Sequence, residues 1–215
     1  MKTVVSYSCG KDSTLVLHRL IKEKHEIVAI MVTINEDMER SWFHGVNKPL
    51  LYAISDSLGI ALIECKTKGE VYHLSFEEHL LKAKELGAVA CAFGDIDIDA
   101  HRTWCSDRCT NTGLQALFPL WQEDRESIVR EFISLGYEAV IKCINNTQLD
   151  EDVLGKVLSL EMLDYFKEKK IDACGENGEY HTVVLGGEIF KKPISYKLGD
   201  TFKHETLSAV DIVLN

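Results

Sequence analysis

Short apolar runs take turns with amphipathic stretches along most of the chain, and these two periodicities predict its elements. Strand-like runs fall at Thr3–Ser8, Glu26–Thr33, Ala61–Lys66, Val89–Gly94, Gln115–Phe118 and Ala139–Ile144. Between them, apolar residues recur at helical spacing over Ser13–Lys24, Asn47–Leu58, Glu70–Leu86, Ala100–Thr112, Asp124–Leu135 and Ser159–Lys169. Such alternation argues for βαβ units, hence an α/β fold in which a mostly parallel sheet carries helices on both faces. After about Cys174 the rhythm changes to short β-like runs, His181–Leu185, Ile194–Leu198 and Ala209–Leu214, divided by Gly186-Gly187 and Gly199-Asp200 as turn signals. Residues 1–173 are expected to form the main domain, and 174–215 a small β annex packed on it.

Composition narrows the function. With 215 residues and 46% apolar content there is enough material for one body with a real core. A net charge of −10 disfavours a broad nucleic-acid surface, because neutralising phosphates needs clustered Lys and Arg, and only the short stretch Lys167 to Lys170 gathers any. No apolar run reaches the roughly 18 residues of a membrane span, and the residues from Met1 to Ser6 lack the form of a signal peptide. The seven cysteines are scattered, odd in number and mostly set among apolar residues, as buried reduced thiols are, so a cytoplasmic location is expected. Cys105 and Cys109 share a helix face but have no second pair at ligand spacing, which favours packing over a metal site. A homodimer is compatible with an apolar-rich domain of this size, although no seam identifies itself.

The candidate chemistry begins at Ser8-Cys9-Gly10-Lys11-Asp12-Ser13, between the first strand and the first helix. At such a turn the backbone N–H groups of the first helical turn lack internal partners and, with the helix dipole, form an anion site. Gly10 admits a phosphate, Ser8 and Ser13 offer hydroxyl donors, and Lys11 offers a positive charge. Asp12 would repel phosphates unless a cation stood between, so it reads either as an indirect Mg²⁺ ligand or as a helix cap. The loop lacks the spacing of a Walker A sequence, which argues against γ-phosphate chemistry.

Two further stretches are unusual. Gly94 and Asp95 end the fourth strand, where doubly wound sheets place ligands, and Arg102 follows them; the nearby Asp97 and Asp99 read as a solvated loop. Trp121, after Phe118-Pro119-Leu120, is either a pocket wall or a core residue. Cys174-Gly175-Glu176-Asn177-Gly178-Glu179-Tyr180-His181-Thr182 is a polar loop whose composition argues for ligand binding or a specific turn.

Ser-x-Gly-Lys-Asp-Ser resembles the PP-loop of the ATP pyrophosphatases, with Cys9 in place of a glycine. That motif, Gly94-Asp95-Ile96, Phe118-Pro119-Leu120-Trp121, Leu154-Gly155 and Cys174–Thr182 resemble, in the same order, the diphthine-ammonia ligase family in its short archaeal or bacterial form. The resemblance implies a Rossmann-like fold of the adenine nucleotide alpha hydrolase kind. It also implies an amidation: ATP adenylates the carboxylate of diphthine on an elongation factor, releasing pyrophosphate, and ammonia then displaces AMP. On this reading Ser8, Cys9, Gly10, Lys11, Asp12, Ser13, Gly94 and Asp95 bind ATP, with Mg²⁺ at Asp12. Arg102, Trp121 and the residues from Gly175 to Thr182 (Glu176, Asn177, Gly178, Glu179, Tyr180 and His181 among them) bind the acceptor, and Lys11, Asp12, Glu176, Asn177 and Glu179 carry the chemistry. Asn177 departs from the Gly-Glu-Gly-Gly-Glu form of the eukaryotic ligases. The competing readings are a PP-loop enzyme acting on another small molecule or a tRNA base, and a module that binds ATP or AMP without turnover.

Overall fold

A computed structural model describes all 215 residues. The chain runs β1 (Lys2–Ser6), α1 (Lys11–Lys22), β2 (Glu26–Asn35), β3 (Arg40–Ser41), α2 (Lys48–Leu58), β4 (Leu62–Thr67), α3 (Tyr72–Glu85), β5 (Ala90–Ala92), α4 (Asp99–Thr112) and β6 (Gln115–Leu117). It continues through α5 (Arg125–Ser134), β7 (Glu138–Asn145), α6 (Leu160–Glu168), β8 (Tyr180–Gly186), β9 (Tyr196–His204) and β10 (Leu207–Leu214). Helix boundaries follow local chemistry. Asn47 caps α2 by accepting from the Leu50 N–H at 3.0 Å, Asp124 caps α5 by accepting from Ser127 N–H at 2.8 Å, and Ser159 caps α6 through Met162 N–H at 3.2 Å. Helix α1 is the exception, because its N-cap residue, Gly10, has no side chain to cap it.

The first sheet is parallel in the order β4-β2-β1-β5-β6, with the two-residue β3 added antiparallel at the end of β2. The chain moves outward from β1 through β2 to β4, then returns to the other side of β1 as β5. That reversal opens a crevice beyond the carboxyl ends of β1 and β5. Neighbouring residues in each strand serve opposite faces: Val5, Ile30 and Ala92 join the larger apolar cluster, whereas Val4, Met31 and Cys91 join the smaller one against α3 and α4.

A second, antiparallel sheet has the order β8-β7-β10-β9 and shares the larger cluster with the first. Here the structure corrects two expectations. The run Ala139–Ile144 lies in β7, near the middle of the antiparallel sheet and not in the parallel one. Its buried residues from Ala139 to Ile144 read alike in either setting, because both leave the strand covered on both faces. Gly199-Asp200 is no turn but the interior of β9, opposite the bulge between Val210 and Ile212; the turn falls at Glu205-Thr206, with Glu205 at φ 47°. No helix is long and apolar enough to cross a membrane.

Candidate active site

The crevice deepens into a cavity of about 540 Å³. It is lined from the phosphate loop by Ser8, Lys11, Asp12 and Ser13, from the end of β5 by Gly94 and Asp95, and from the carboxy-terminal motif by Gly175, Glu176, Gly178, Tyr180, His181 and Thr182. These expected site residues, distant in sequence, therefore share one space of a size suited to a small ligand.

The phosphate loop is tightly specified. Cys9 adopts φ 68° and is fully buried, so the position that the PP-loop pattern gives to glycine does take the left-handed conformation, at a cost of about 1 kcal/mol for a side chain. Burial pushes the Cys9 thiol far up, which removes it as a nucleophile. Ser13 Oγ donates to Gly10 O at 3.1 Å and accepts from the Ser8 N–H at 3.2 Å. Gly94 meets this turn from β5: a Cβ there would stand 3.1 Å from Ser13 N, so the close approach of the two loops needs glycine.

The carboxy-terminal motif is pinned directly to that loop. The Lys11 N–H donates to Thr182 Oγ1 at 3.1 Å, and the Val184 N–H donates to Cys9 O at 2.8 Å. The Lys11 ammonium, expected to reach phosphates, is buried; it donates to the Cys174 carbonyl and, at 2.8 Å, to Asp12 Oδ2, with the Tyr180 ring centroid 5.2 Å away. Burial opposes its charge, but the Asp12 carboxylate overcomes this and holds it protonated. Gly175, at φ 72°, turns the motif where a Cβ would lie 2.7 Å from Tyr180 O.

Three carboxylates face the cavity. Asp12 Oδ1 is buried without a hydrogen-bond partner. Burial raises the Asp95 carboxyl, against the lowering effect of His101, whose Nδ1 lies 3.5 Å away. Burial, then the Asp12 charge, push Glu176 up to about 7, a value matched to proton transfer near neutrality. Two histidines complete this wall, His44 and His181, with ring centroids 4.8 Å apart. Burial first, then each other's company or that of Lys11, hold them at about 3 and about 4, so both are neutral at pH 7. His44 Nδ1–H donates to Thr182 O at 2.7 Å.

Other expected site residues lie elsewhere. Asn177 and Glu179 do not line the cavity; the Asn177 N–H and side-chain amide donate to Glu179 at 3.1 and 3.2 Å, so this buried carboxylate shapes the loop. Arg102 and Trp121 stack on each other outside the cavity, with the guanidinium 4.6 Å from the ring. Helical spacing explains this: His101 and Cys105, four apart on α4, share the face toward Asp95, and Arg102 is turned off it. Sequence reasoning missed His44, Trp42, Tyr72 and Trp104, all of which line the cavity. The run Trp42-Phe43-His44-Gly45, aromatic within a polar loop, was the available signal.

Known proteins bear on this geometry. Residues 1–116 match the diphthamide synthase N-terminal domain, and residues 124–213 match its C-terminal domain. A protein of Rattus norvegicus named diphthine–ammonia ligase is 28% identical over 95% of this chain and 86% of its own length. The Danio rerio protein of that name is 27% identical over 95% and 89%, respectively. One from Schizosaccharomyces pombe is 25% identical over 96% of this chain but only 38% of its own. A solved structure from Methanocaldococcus jannaschii DSM, described as a predicted subunit of tRNA methyltransferase, aligns with 90% of this chain and 100% of its own at 14% identity; its TM-score of 0.47 is too low to carry an inference. Matched in both halves, the chain belongs to the diphthamide synthase family and is a carbon–nitrogen ligase with a phosphate loop of the PP type.

Proposed function

We propose that the chain uses ATP to adenylate the carboxylate of diphthine on an elongation factor, and then transfers ammonia to it. The observation that carries this reading is the union of phosphate loop and carboxy-terminal motif around one cavity, with Glu176 facing the loop. The acceptor follows from the relatives' name, diphthine–ammonia ligase.

In the first step an acceptor carboxylate oxygen attacks the α-phosphorus, and pyrophosphate leaves. The amino terminus of α1, where Thr182 takes the Lys11 N–H but Gly10 brings no capping side chain, with Ser8 and Ser13 beside it, receives the phosphates and the charge that builds on the leaving group. Lys11 acts mainly by fixing the motif to the loop. In the second step Glu176, ionised above about pH 7, accepts a proton from ammonium. Ammonia then attacks the acyl carbon and AMP departs, so the new C–N bond replaces the C–O bond of the adenylate.

The residues fit a Mg²⁺ ion in a limited way. No group of three His, Cys, Asp or Glu side chains is placed to hold a metal alone, but the unpartnered Asp12 Oδ1 suits an ion borne mainly by phosphate oxygens. Such an ion would neutralise phosphate charge beside Asp12. All seven cysteines are free and buried, which fits a reducing cytoplasm. To test the reading, the protein is incubated with ATP, Mg²⁺, ammonium and diphthine-bearing elongation factor, alongside Ser13→Ala and Glu176→Gln. AMP and pyrophosphate should form only with the factor and fall in both variants; ADP as product would refute it.

A further inference from the structure

Glu176 is held from behind by a charge network outside the cavity. The Glu176 N–H donates to Asp172 Oδ2 at 2.7 Å, and the Gly175 N–H donates to the Asp172 carbonyl at 3.1 Å, so one residue fixes the turn that presents Glu176. The same Asp172 Oδ2 accepts from Arg125 Nη1 at 2.8 Å. Arg125 opens α5 and does not line the cavity. Its other edge meets Asp97, with Nε 2.9 Å from Oδ2 and Nη2 2.6 Å from Oδ1, a two-pronged fit that a guanidinium makes and an ammonium does not. Its backbone joins the network too, because Cys174 Sγ–H donates to the Arg125 carbonyl at 3.2 Å.

Each of these bonds falls close to a residue of the site. Asp97 follows Asp95 by two positions in the loop after β5, and Asp172 precedes Glu176 by four. Arg125 thus joins two segments that line the cavity from different directions. An exposed ion pair adds little to stability, because water screens it and holding two side chains still costs entropy. Asp172 differs from such a pair: its side chain is only 11% exposed, and one of its oxygens accepts from two donors. Without Arg125, this nearly buried carboxylate loses its counter-ion, and the pull of water on it competes with the Glu176 N–H.

We propose that Arg125 is a positioning residue for the amidation: through Asp172 it fixes the backbone of Glu176, and through Asp97 it ties that turn to the loop carrying Asp95. It lies behind the cavity wall and acts through Glu176, which receives the proton from ammonium. The role of Glu176 in that step rests on the ligase reading above; its attachment to Arg125 does not.

The test uses the full chain as Arg125→Met, Arg125→Lys, Asp172→Ala and the double variant Arg125→Met/Asp172→Ala. Amide hydrogen exchange should quicken at Glu176 by at least about tenfold in Arg125→Met, the weight of one bond to a charged acceptor, and stay as in the parent across the parallel sheet. With diphthine-bearing factor, exchange of labelled pyrophosphate into ATP without ammonium reads the adenylation step, and amide formation reads the whole reaction. Arg125→Met should leave the first within about twofold and slow the second by roughly tenfold to a hundredfold. Arg125→Lys keeps the charge and can serve one of the two carboxylates, so it should recover part of the rate. Asp172→Ala should behave as Arg125→Met does, and the double variant no worse than the poorer single one, because both act through one bond. An unaltered Glu176 amide, faster exchange throughout the sheet, pyrophosphate exchange falling in step with amide formation, or additive losses in the double variant would overturn the inference. If the parent gives neither pyrophosphate exchange nor amide, the ligase reading fails, and the Glu176 amide still decides whether Arg125 holds that turn.

Discussion

The Lys11 ammonium donates to the carbonyl of Cys174, so the lysine of the phosphate loop is the clasp that holds the carboxy-terminal motif over the cavity. Its remaining charge is directed to Asp12 at 2.8 Å. A residue that reads from sequence as a phosphate ligand thus does structural work between two segments 163 positions apart.

Lys11→Met should therefore destabilise the protein, because it strands a buried carbonyl and leaves Asp12 without its counter-ion. Breaking a buried pair in this way costs about 3 kcal/mol, which for a domain of this size lowers Tm by roughly 6–12 °C. Calorimetry checks this; an unchanged Tm with lost ATP binding would instead return Lys11 to the phosphates.

At Cys9 the strained backbone favours glycine, whereas loss of the buried thiol disfavours any smaller residue. Cys9→Ala keeps the strain and loses the sulfur; Cys9→Gly loses both. The glycine variant should accordingly be more stable than the alanine variant by about 1 kcal/mol in urea unfolding.

Stability should depend on pH with opposite signs at two places. Glu176, raised from 4.5 to about 7, is easier to bury protonated, so its contribution is full below pH 4.5 and is lost as pH rises to 7. Glu176→Gln should match the parent near pH 4.5 and exceed its stability by about 3 kcal/mol at pH 8. His44 and His181, lowered from 6.5 to about 3 and about 4, favour the folded state above pH 6.5 and weaken it as pH falls toward those values. Urea titrations across this range read both.

Activity should rise through about pH 7 as Glu176 ionises, and Glu176→Gln should flatten that limb as well as lower the rate. A limb that survives in the variant would assign the proton transfer to another group.

Native thiol chemistry offers a further check. All seven cysteines are buried, and burial pushes the Cys9, Cys105 and Cys174 thiols up, so the folded protein should react slowly with a disulfide reagent and titrate seven thiols only when unfolded. A fast-reacting Cys9 would contradict the packing role given to it.

Much of this architecture is legible in the sequence. The helical and strand periods locate β1, β2, β4 and α1 to within a few residues, and Ser8–Ser13 does fall at the strand-to-helix turn that the sequence indicates. The path of β7 is not legible, because a short apolar run carries no record of its partners. Within the site, type and position singled out Glu176 and Asp95, but not the inward turn of Glu179 or the outward stack of Arg102 on Trp121. Those depend on side-chain direction, as does His44, whose ring is held in the cavity wall by the hydrogen bond that its Nδ1–H donates to Thr182 O.

The most direct test of the proposed chemistry follows an oxygen atom. Diphthine-bearing factor labelled with ¹⁸O in the acceptor carboxylate is amidated with ATP and ammonium, and the products are analysed by mass spectrometry. If the carboxylate attacks the α-phosphorus, each turnover leaves one ¹⁸O in AMP and none in pyrophosphate. Label in inorganic phosphate, with ADP as the nucleotide product, would mean an acyl phosphate and would contradict adenylation at this site.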